Sequence, residues 1–229
     1  MKLFRIIITI MALSVSSAGW KAWSQEADYR FAVGAKLGMG GYLGEYGASN
    51  PFARPGFTGG FTGSYNLDVR WNFSANIMIS SLSGNASKVS GFFPENINQS
   101  FSATSGEIYF RAEFNFLPYG IGETYKGLKR VTPYVAAGVG VIMAKPAGLN
   151  MTAAPELPLA VGARFKLKER LNIFAEVSFT KTFADGIDGA DDIYGVRSSW
   201  FKNTDWTASL TVGLTYEFGK RCATCHYVD

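Results

Sequence analysis

Along most of this chain apolar and polar side chains take turns. From Tyr29 the odd positions are Tyr29, Phe31, Val33, Ala35, Leu37 and Met39, and the even ones are Arg30, Ala32, Gly34, Lys36, Gly38 and Gly40. Successive side chains of a strand point to opposite faces, so a period of two predicts a strand with one apolar face. Seven further segments repeat the pattern. Phe57, Phe61, Tyr65 and Leu67 stand against small polar residues and glycines, and Trp71, Phe73, Ala75, Ile77 and Ile79 against Asn72, Ser74, Asn76, Met78 and Ser80. The fourth sets Ile108, Phe110, Ala112, Phe114 and Phe116 against Glu107, Tyr109, Arg111, Glu113 and Asn115. The fifth sets Val135, Ala137, Val139, Val141 and Met143 against Ala136, Gly138 and Gly140. In the sixth, Leu157, Leu159, Val161, Ala163, Phe165 and Leu167 oppose Ala160, Gly162, Arg164 and Lys166; in the seventh, Ile173, Ala175, Val177 and Phe179 oppose Glu176, Ser178 and Thr180. The eighth, from Trp206 to Phe218, places Ala208, Leu210, Val212, Leu214 and Tyr216 opposite Thr207, Ser209, Thr211, Gly213, Thr215 and Glu217.

A β-sandwich or a lipocalin-like cup would alternate as well, and strand length separates them. Ordinary strands average about 5–6 residues, whereas these patterns persist for roughly 10 to 13, the length that carries a tilted strand across a bilayer. A lipocalin turns its apolar face inward. The second face here is Gly, Ser, Thr, Asn and a few charges, which suits a polar lumen. The expected fold is all-β: an eight-stranded antiparallel transmembrane barrel wound as an up-and-down meander. Linkers Asp68 to Arg70, Pro118 to Val131 and Lys168 to Arg170 are mostly short, while Leu43 to Pro55, Leu82 to Ser105, Lys145 to Pro155 and Lys181 to Asp205 are longer. Bacterial barrels keep short turns in the periplasm and long loops outside, so both termini are expected in the periplasm.

Composition agrees and removes other classes. With 47% hydrophobic, 15% aromatic and 17% charged residues, the chain is too apolar for disorder. After the first 24 residues the longest strongly apolar run, Val135 to Ala144, is about half the roughly 20 residues a spanning helix needs. The start is different in kind. Lys2 and Arg5 precede apolar Ile6 to Val15, and small residues lead to Ala22-Trp23-Ser24, a signal-peptide pattern whose first-ranked cleavage leaves Gln25 as the new N-terminus, with cleavage nearer Ala18 as the alternative. The expected organisation is a signal peptide over 1–24, a barrel over 25–218 and a periplasmic tail over 219–229. Losing Lys2, Arg5 and Lys21 leaves 19 basic residues against 18 acidic, so the net charge falls from +4 to +1. That balance makes no electrostatic case for nucleic acid; the expected surroundings are outer-membrane lipids and the compartment is the Gram-negative outer membrane.

A barrel of eight strands is filled by its own side chains, so a pore is not expected. Arg30, Lys36, Arg111, Arg164 and Lys166 fall on the inward face with Glu107, Glu113, Glu176 and Glu217 and are expected to pair there, because buried charges persist when paired. No enzyme activity is expected. Hydrolytic small barrels use His with Ser or Asp, and the single His226 lies beyond the last strand. No cofactor or metal is assigned. The glycine-rich acidic stretch Asp185, Asp188, Asp191, Asp192 departs from the EF-hand spacing; a solvated loop is the default reading, with Ca²⁺ the alternative that calorimetry tests. In the tail, Cys222-Ala223-Thr224-Cys225-His226 has haem-attachment spacing, ranked below a short disulfide loop and a bridge to a partner. The turn with Glu123, Lys126, Lys129 and Arg130 reads as a solvated turn or a partner contact.

Several stretches together resemble a known family. Glu113-Phe114-Asn115-Phe116-Leu117-Pro118-Tyr119, then Thr132-Pro133-Tyr134-Val135-Ala136-Ala137-Gly138-Val139-Gly140, are similar to the central strands of the PorG-like (DUF6089) outer-membrane proteins of Bacteroidetes. Leu157 to Arg164 resembles that family's sixth strand, and Thr182-Phe183-Ala184-Asp185 with Asp188, Asn203 to Trp206 and a tail Cys resemble its last loop and ending. Cys225 with His226 departs from the pattern. The resemblance implies a non-enzymatic component of the type IX secretion system, active in protein transport, that meets lipoprotein and periplasmic subunits of a secretion complex. The candidate contacts are Glu123, Lys126, Lys129, Arg130, Cys222 and Cys225. The rival is a free-standing structural or adhesive barrel acting through outer loops that carry Phe92, Phe93, Trp200 and Phe201.

Overall fold

The computed structural model describes residues 27–43, 55–85, 100–121, 127–146, 151–183 and 206–220. They form eight strands: β1 (Tyr29–Leu43), β2 (Gly56–Asn66), β3 (Trp71–Asn85), β4 (Ser100–Asn115), β5 (Val131–Pro146), β6 (Thr152–Lys168), β7 (Leu171–Thr182) and β8 (Trp206–Lys220). Each pairs antiparallel with its neighbour in sequence, and β1 closes on β8 from Tyr29 opposite Lys220 to Leu43 opposite Trp206. Closure gives every strand two partners and leaves no edge. Among the described residues no helix is long and apolar enough to cross a membrane.

Alternation sets what faces where, and the result is an inside-out protein. Phe61 is 71% exposed, Val139 65% and Leu37 64%, whereas Asn76, Glu113 and Thr132 are buried. Large apolar side chains on the outside of a closed barrel are stable in hydrocarbon, not in water. Near the end that holds Tyr29 and Lys220, called here the terminal end, aromatic side chains gather on the outer wall. Phe31 stacks on Phe218 at 5.7 Å and leans on Tyr65 at 5.5 Å, and Trp71 meets Phe114 at 4.9 Å. Such a belt suits a membrane interface, where a ring has one apolar and one wet neighbour.

Two tight turns close the same end. Asp68 Oδ1 accepts from the backbone N–H of Arg70 at 2.6 Å and of Trp71 at 2.7 Å, an Asx turn that reverses the chain between β2 and β3. Between β6 and β7, Glu169 and Arg170 form the turn, with a register shift at Lys166 and Lys168.

Strand ends differ from the sequence expectation. β3 runs on to Asn85 and β4 begins at Ser100, pairing Leu82 with Ala103 and Asn85 with Ser100 inside the linker expected from Leu82 to Ser105. β6 begins at Thr152 and β8 ends at Lys220. Outside hydrocarbon no apolar face is needed, yet the backbone ladder still satisfies its donors and acceptors, so pairing outlasts the alternation.

Candidate functional site: the charged lumen

The inward faces of β1, β4, β5, β6, β7 and β8 bring together most of the expected charges and several aromatic side chains. At the centre, Arg111 grips Glu176 with both ends of its fork, Nη1 to Oε1 and Nη2 to Oε2, each at 2.9 Å. A second hydrogen bond from Nη2 reaches Glu113 Oε1 at 3.1 Å. Lys36 Nζ donates to Glu176 Oε1 at 3.2 Å and to the Tyr109 hydroxyl at 3.0 Å, and the Tyr134 hydroxyl donates to Glu176 Oε2 at 2.8 Å. Glu176 thus collects two cations and a phenol from three other strands. Paired fork geometry of this kind is the strong form of a charged hydrogen bond.

Toward the terminal end the ladder continues. Glu113 also holds Arg164 through Oε2 and accepts from Ser74 Oγ at 2.5 Å, and the Arg164 guanidinium lies 4.2 Å from the Tyr134 ring centre. Lys166 Nζ meets Glu217 Oε2 at 2.6 Å, Asn172 donates to the other oxygen of Glu217 at 2.9 Å, and the Tyr119 hydroxyl donates to Asn172 at 2.8 Å. At the rim the Tyr29 hydroxyl donates to Glu169 at 2.6 Å. That bond holds the Glu169 carboxyl below its ordinary range.

Glycine makes the room. A Cβ on Gly162 would sit 2.7 Å from the Tyr134 ring, so Tyr134 lies across a position where no side chain fits. Tyr134, Ala136 and Ala160 are buried together as an apolar patch of the lumen. Around the ladder at the terminal end is a cavity of about 60 Å³, bordered by Asn72, Asn115, Tyr119, Lys166, Asn172 and Glu217, with room for a few waters.

Two residues near the start of β1 depart from the expected faces. Arg30 is exposed and stands outside the ladder, and Tyr29, read as outward, is buried at 2%. Arg30 lies opposite Gly219, whose φ of +72° interrupts the regular pleat. At a wet rim a cation gains nothing by turning inward, while a phenol beside Glu169 gains a charged hydrogen bond.

Sequence reasoning missed Glu156 and Tyr134. Both lie on the parity of the inward sets, one step before the segments recognised as alternating. Of the expected partner contacts, Lys129 and Arg130 are exposed at the terminal end, where Tyr119 and Lys129 form a parallel bridge. Gly127 supports that turn with φ of +61°, a conformation that favours glycine. Glu123, Lys126, Cys222, Cys225 and His226 lie outside the described residues, as do 1–24, Phe92, Phe93, Asp185 to Asp192, Trp200 and Phe201.

A closed eight-stranded barrel with an apolar wall and an ion-paired interior defines a class, the small membrane-type β-barrel. The family model for the domain of unknown function DUF6089 matches residues 2–227, and the chain belongs to that family. No curated protein matches it in sequence. Among solved structures, Neisserial surface protein A is similar in fold, with a TM-score of 0.54 at 13% identity, over 82% of this chain and 97% of that one. The N-terminal barrel domain of Pseudomonas aeruginosa OprF gives a TM-score of 0.44 at 15% identity, over 84% of this chain and 99% of that one. The Yersinia pestis attachment invasion locus protein Ail gives 0.45 at 12%, over 83% and 100%.

Proposed function

We propose that this protein is a non-enzymatic barrel of the Gram-negative outer membrane and serves as a PorG-like accessory subunit of the type IX secretion machinery, engaging periplasmic subunits through its terminal end. The observation that carries the barrel half of the reading is the ladder itself. Four cations and three carboxylates are locked to one another across the lumen, an arrangement that plugs a barrel rather than conducting through it or serving a catalytic cleft. The secretion half is supported by the motifs from Glu113 to Gly140 and by membership of the family.

With the start of β1 at Tyr29 and the end of β8 at Lys220 both at the terminal end, we read that end as facing the periplasm. It presents Lys129 and Arg130 beside Tyr119, whose hydroxyl is held inside by Asn172, and Cys222 and Cys225 follow Lys220 within five residues of sequence. Charged rim residues suit a polar protein partner. The test is affinity purification of the tagged protein in mild detergent from its host. Wild type should bring down periplasmic and lipoprotein subunits, and Lys129→Glu with Arg130→Glu, or Cys222→Ser with Cys225→Ser, should weaken that capture while leaving the barrel folded. Unchanged capture and unchanged secretion in both variants would contradict the secretion reading. Loss of surface attachment on trimming 86–99, with secretion intact, would favour the adhesive barrel.

A further inference from the structure

The ladder stops short of the far end of the lumen. Lys36, Arg111, Arg164 and Lys166 all pair with Glu113, Glu176 or Glu217. Two further carboxylates lie beyond them. Glu107 on β4 is held by the Ser80 hydroxyl. Glu156 on β6 is 2% exposed, and both its carboxylate oxygens are buried with no hydrogen-bond partner.

The surroundings of Glu156 are built for its carboxylate. It stands opposite Gly140 on β5, where a Cβ would run first into the Tyr109 side chain, then the Ile108 carbonyl at 2.6 Å and Glu156 Oε1 at 2.8 Å, so the bare backbone there admits both Tyr109 and the carboxylate. On its other side it stands opposite Thr182 of β7, whose Oγ1 is likewise buried with no partner. Directly opposed residues of an antiparallel pair share a face, so both groups point into the lumen. Tyr109, Gly140 and Glu156 share one row of the ladder, and Glu107 stands two residues from Tyr109 on the same face of β4. Hydroxyls of Thr58, Ser80, Ser178, Thr180 and Ser209 line a neighbouring cavity of about 20 Å³ that Glu107 also borders, room for one water.

A buried carboxylate with neither counter-charge nor donor is costly, and Glu156 is such a group. What Glu156 lacks is a positive charge; what its surroundings offer is oxygen. We propose that the far half of the lumen binds a hard divalent cation, with Glu156, Glu107 and Thr182 supplying the protein oxygens and water completing the shell. Ca²⁺ and Mg²⁺ favour this donor chemistry, carboxylate and hydroxyl without nitrogen or sulfur. The site is independent of any secretion role, because it is made by the barrel wall.

The test uses the full mature protein in detergent, stripped with EDTA and then titrated with CaCl₂ or MgCl₂ alone. Wild type should give a saturable one-site binding heat, and its Tm should rise by about 5–10 °C at a concentration 100-fold above Kd. Glu156→Gln should abolish both responses, and Glu107→Gln should weaken binding about tenfold or more. Neither should unfold the barrel, since each removes a buried negative charge; should one do so, the other still reads the site. A variant with Asp185, Asp188, Asp191 and Asp192 all changed to Asn should keep the response. Absence of any cation response in wild type would overturn the proposal, as would a response that survives both Gln variants or disappears with the Asn variant. A Tm that moves with pH but not with either cation would mean that the two carboxylates share a proton, and would overturn it too.

Discussion

The two halves of the lumen use the same residue types to opposite effect. Around Arg111 each buried carboxylate has a cation, a phenol or a hydroxyl on it, and Glu176 alone accepts from Arg111, Lys36 and Tyr134. Around Glu156 the ladder neighbours are Gly140 and Thr182, with Tyr109 beyond Gly140 and Glu107 two residues further along the same face of β4. The first arrangement cross-braces strands far apart in sequence, since Lys36 and Glu176 stand 140 residues apart. The second leaves charge unanswered within the same wall. Burial alone therefore does not say whether a charged residue supports a barrel. The partner does.

The largest expected effect lies at the centre. Arg111→Met leaves Glu176 and Glu113 short of a counter-charge and should lower unfolding stability by about 3–5 kcal/mol, read by urea unfolding in detergent. Arg111→Met with Glu176→Met should recover only part of that loss, because Glu176 is also the carboxylate on buried Lys36. Next, Gly162→Ala would press on the Ala175 carbonyl at 2.5 Å and the Tyr134 ring at 2.7 Å and should cost about 1–3 kcal/mol, with a change in near-ultraviolet circular dichroism. Tyr134→Phe keeps the ring but removes its hydroxyl from Glu176, and about 1–2 kcal/mol is expected in the same assay.

The smallest effect sits at the wet rim. Glu169 titrates below its ordinary range because the Tyr29 hydroxyl donates to the ionised form. A lowered folded value means that this contribution is present above the ordinary carboxylate range and is lost as pH falls through the lowered one. Tyr29→Phe should therefore lower the Tm slightly at neutral pH, with the difference vanishing in acid. An equal difference at all pH values would remove the linkage.

The architecture was legible in the sequence because a barrel wall repeats one rule. Phe61, Ile77, Phe110 and Val139 declare the lipid side, and Lys36, Arg111, Glu113 and Glu176 the lumen, at strict period two. The rule fails where its cause fails. Past the apolar segments β3, β4 and β6 keep pairing with no alternation to announce it, and Glu156 stands one residue before the sixth segment begins at Leu157, level with Tyr109 and Gly140. Arg30 shows the same limit at the other rim, where water makes parity a poor guide. The pairing pattern was less accessible still. That Arg111 holds both Glu176 and Glu113, while Glu156 holds nothing, depends on register and on strand-to-strand distance across the lumen.

The most direct measurement applies one chemical change to both halves. Glu113→Gln and Glu156→Gln each turn a buried carboxylate into an amide of nearly the same shape, and unfolding of each can be compared with wild type in EDTA. Glu113→Gln should destabilise, since Arg164 loses its carboxylate and Arg111 keeps only Glu176, while Glu156→Gln should leave the barrel as stable as wild type or more so. Equal losses from the two substitutions would contradict the division of the lumen into a braced half and an unanswered one.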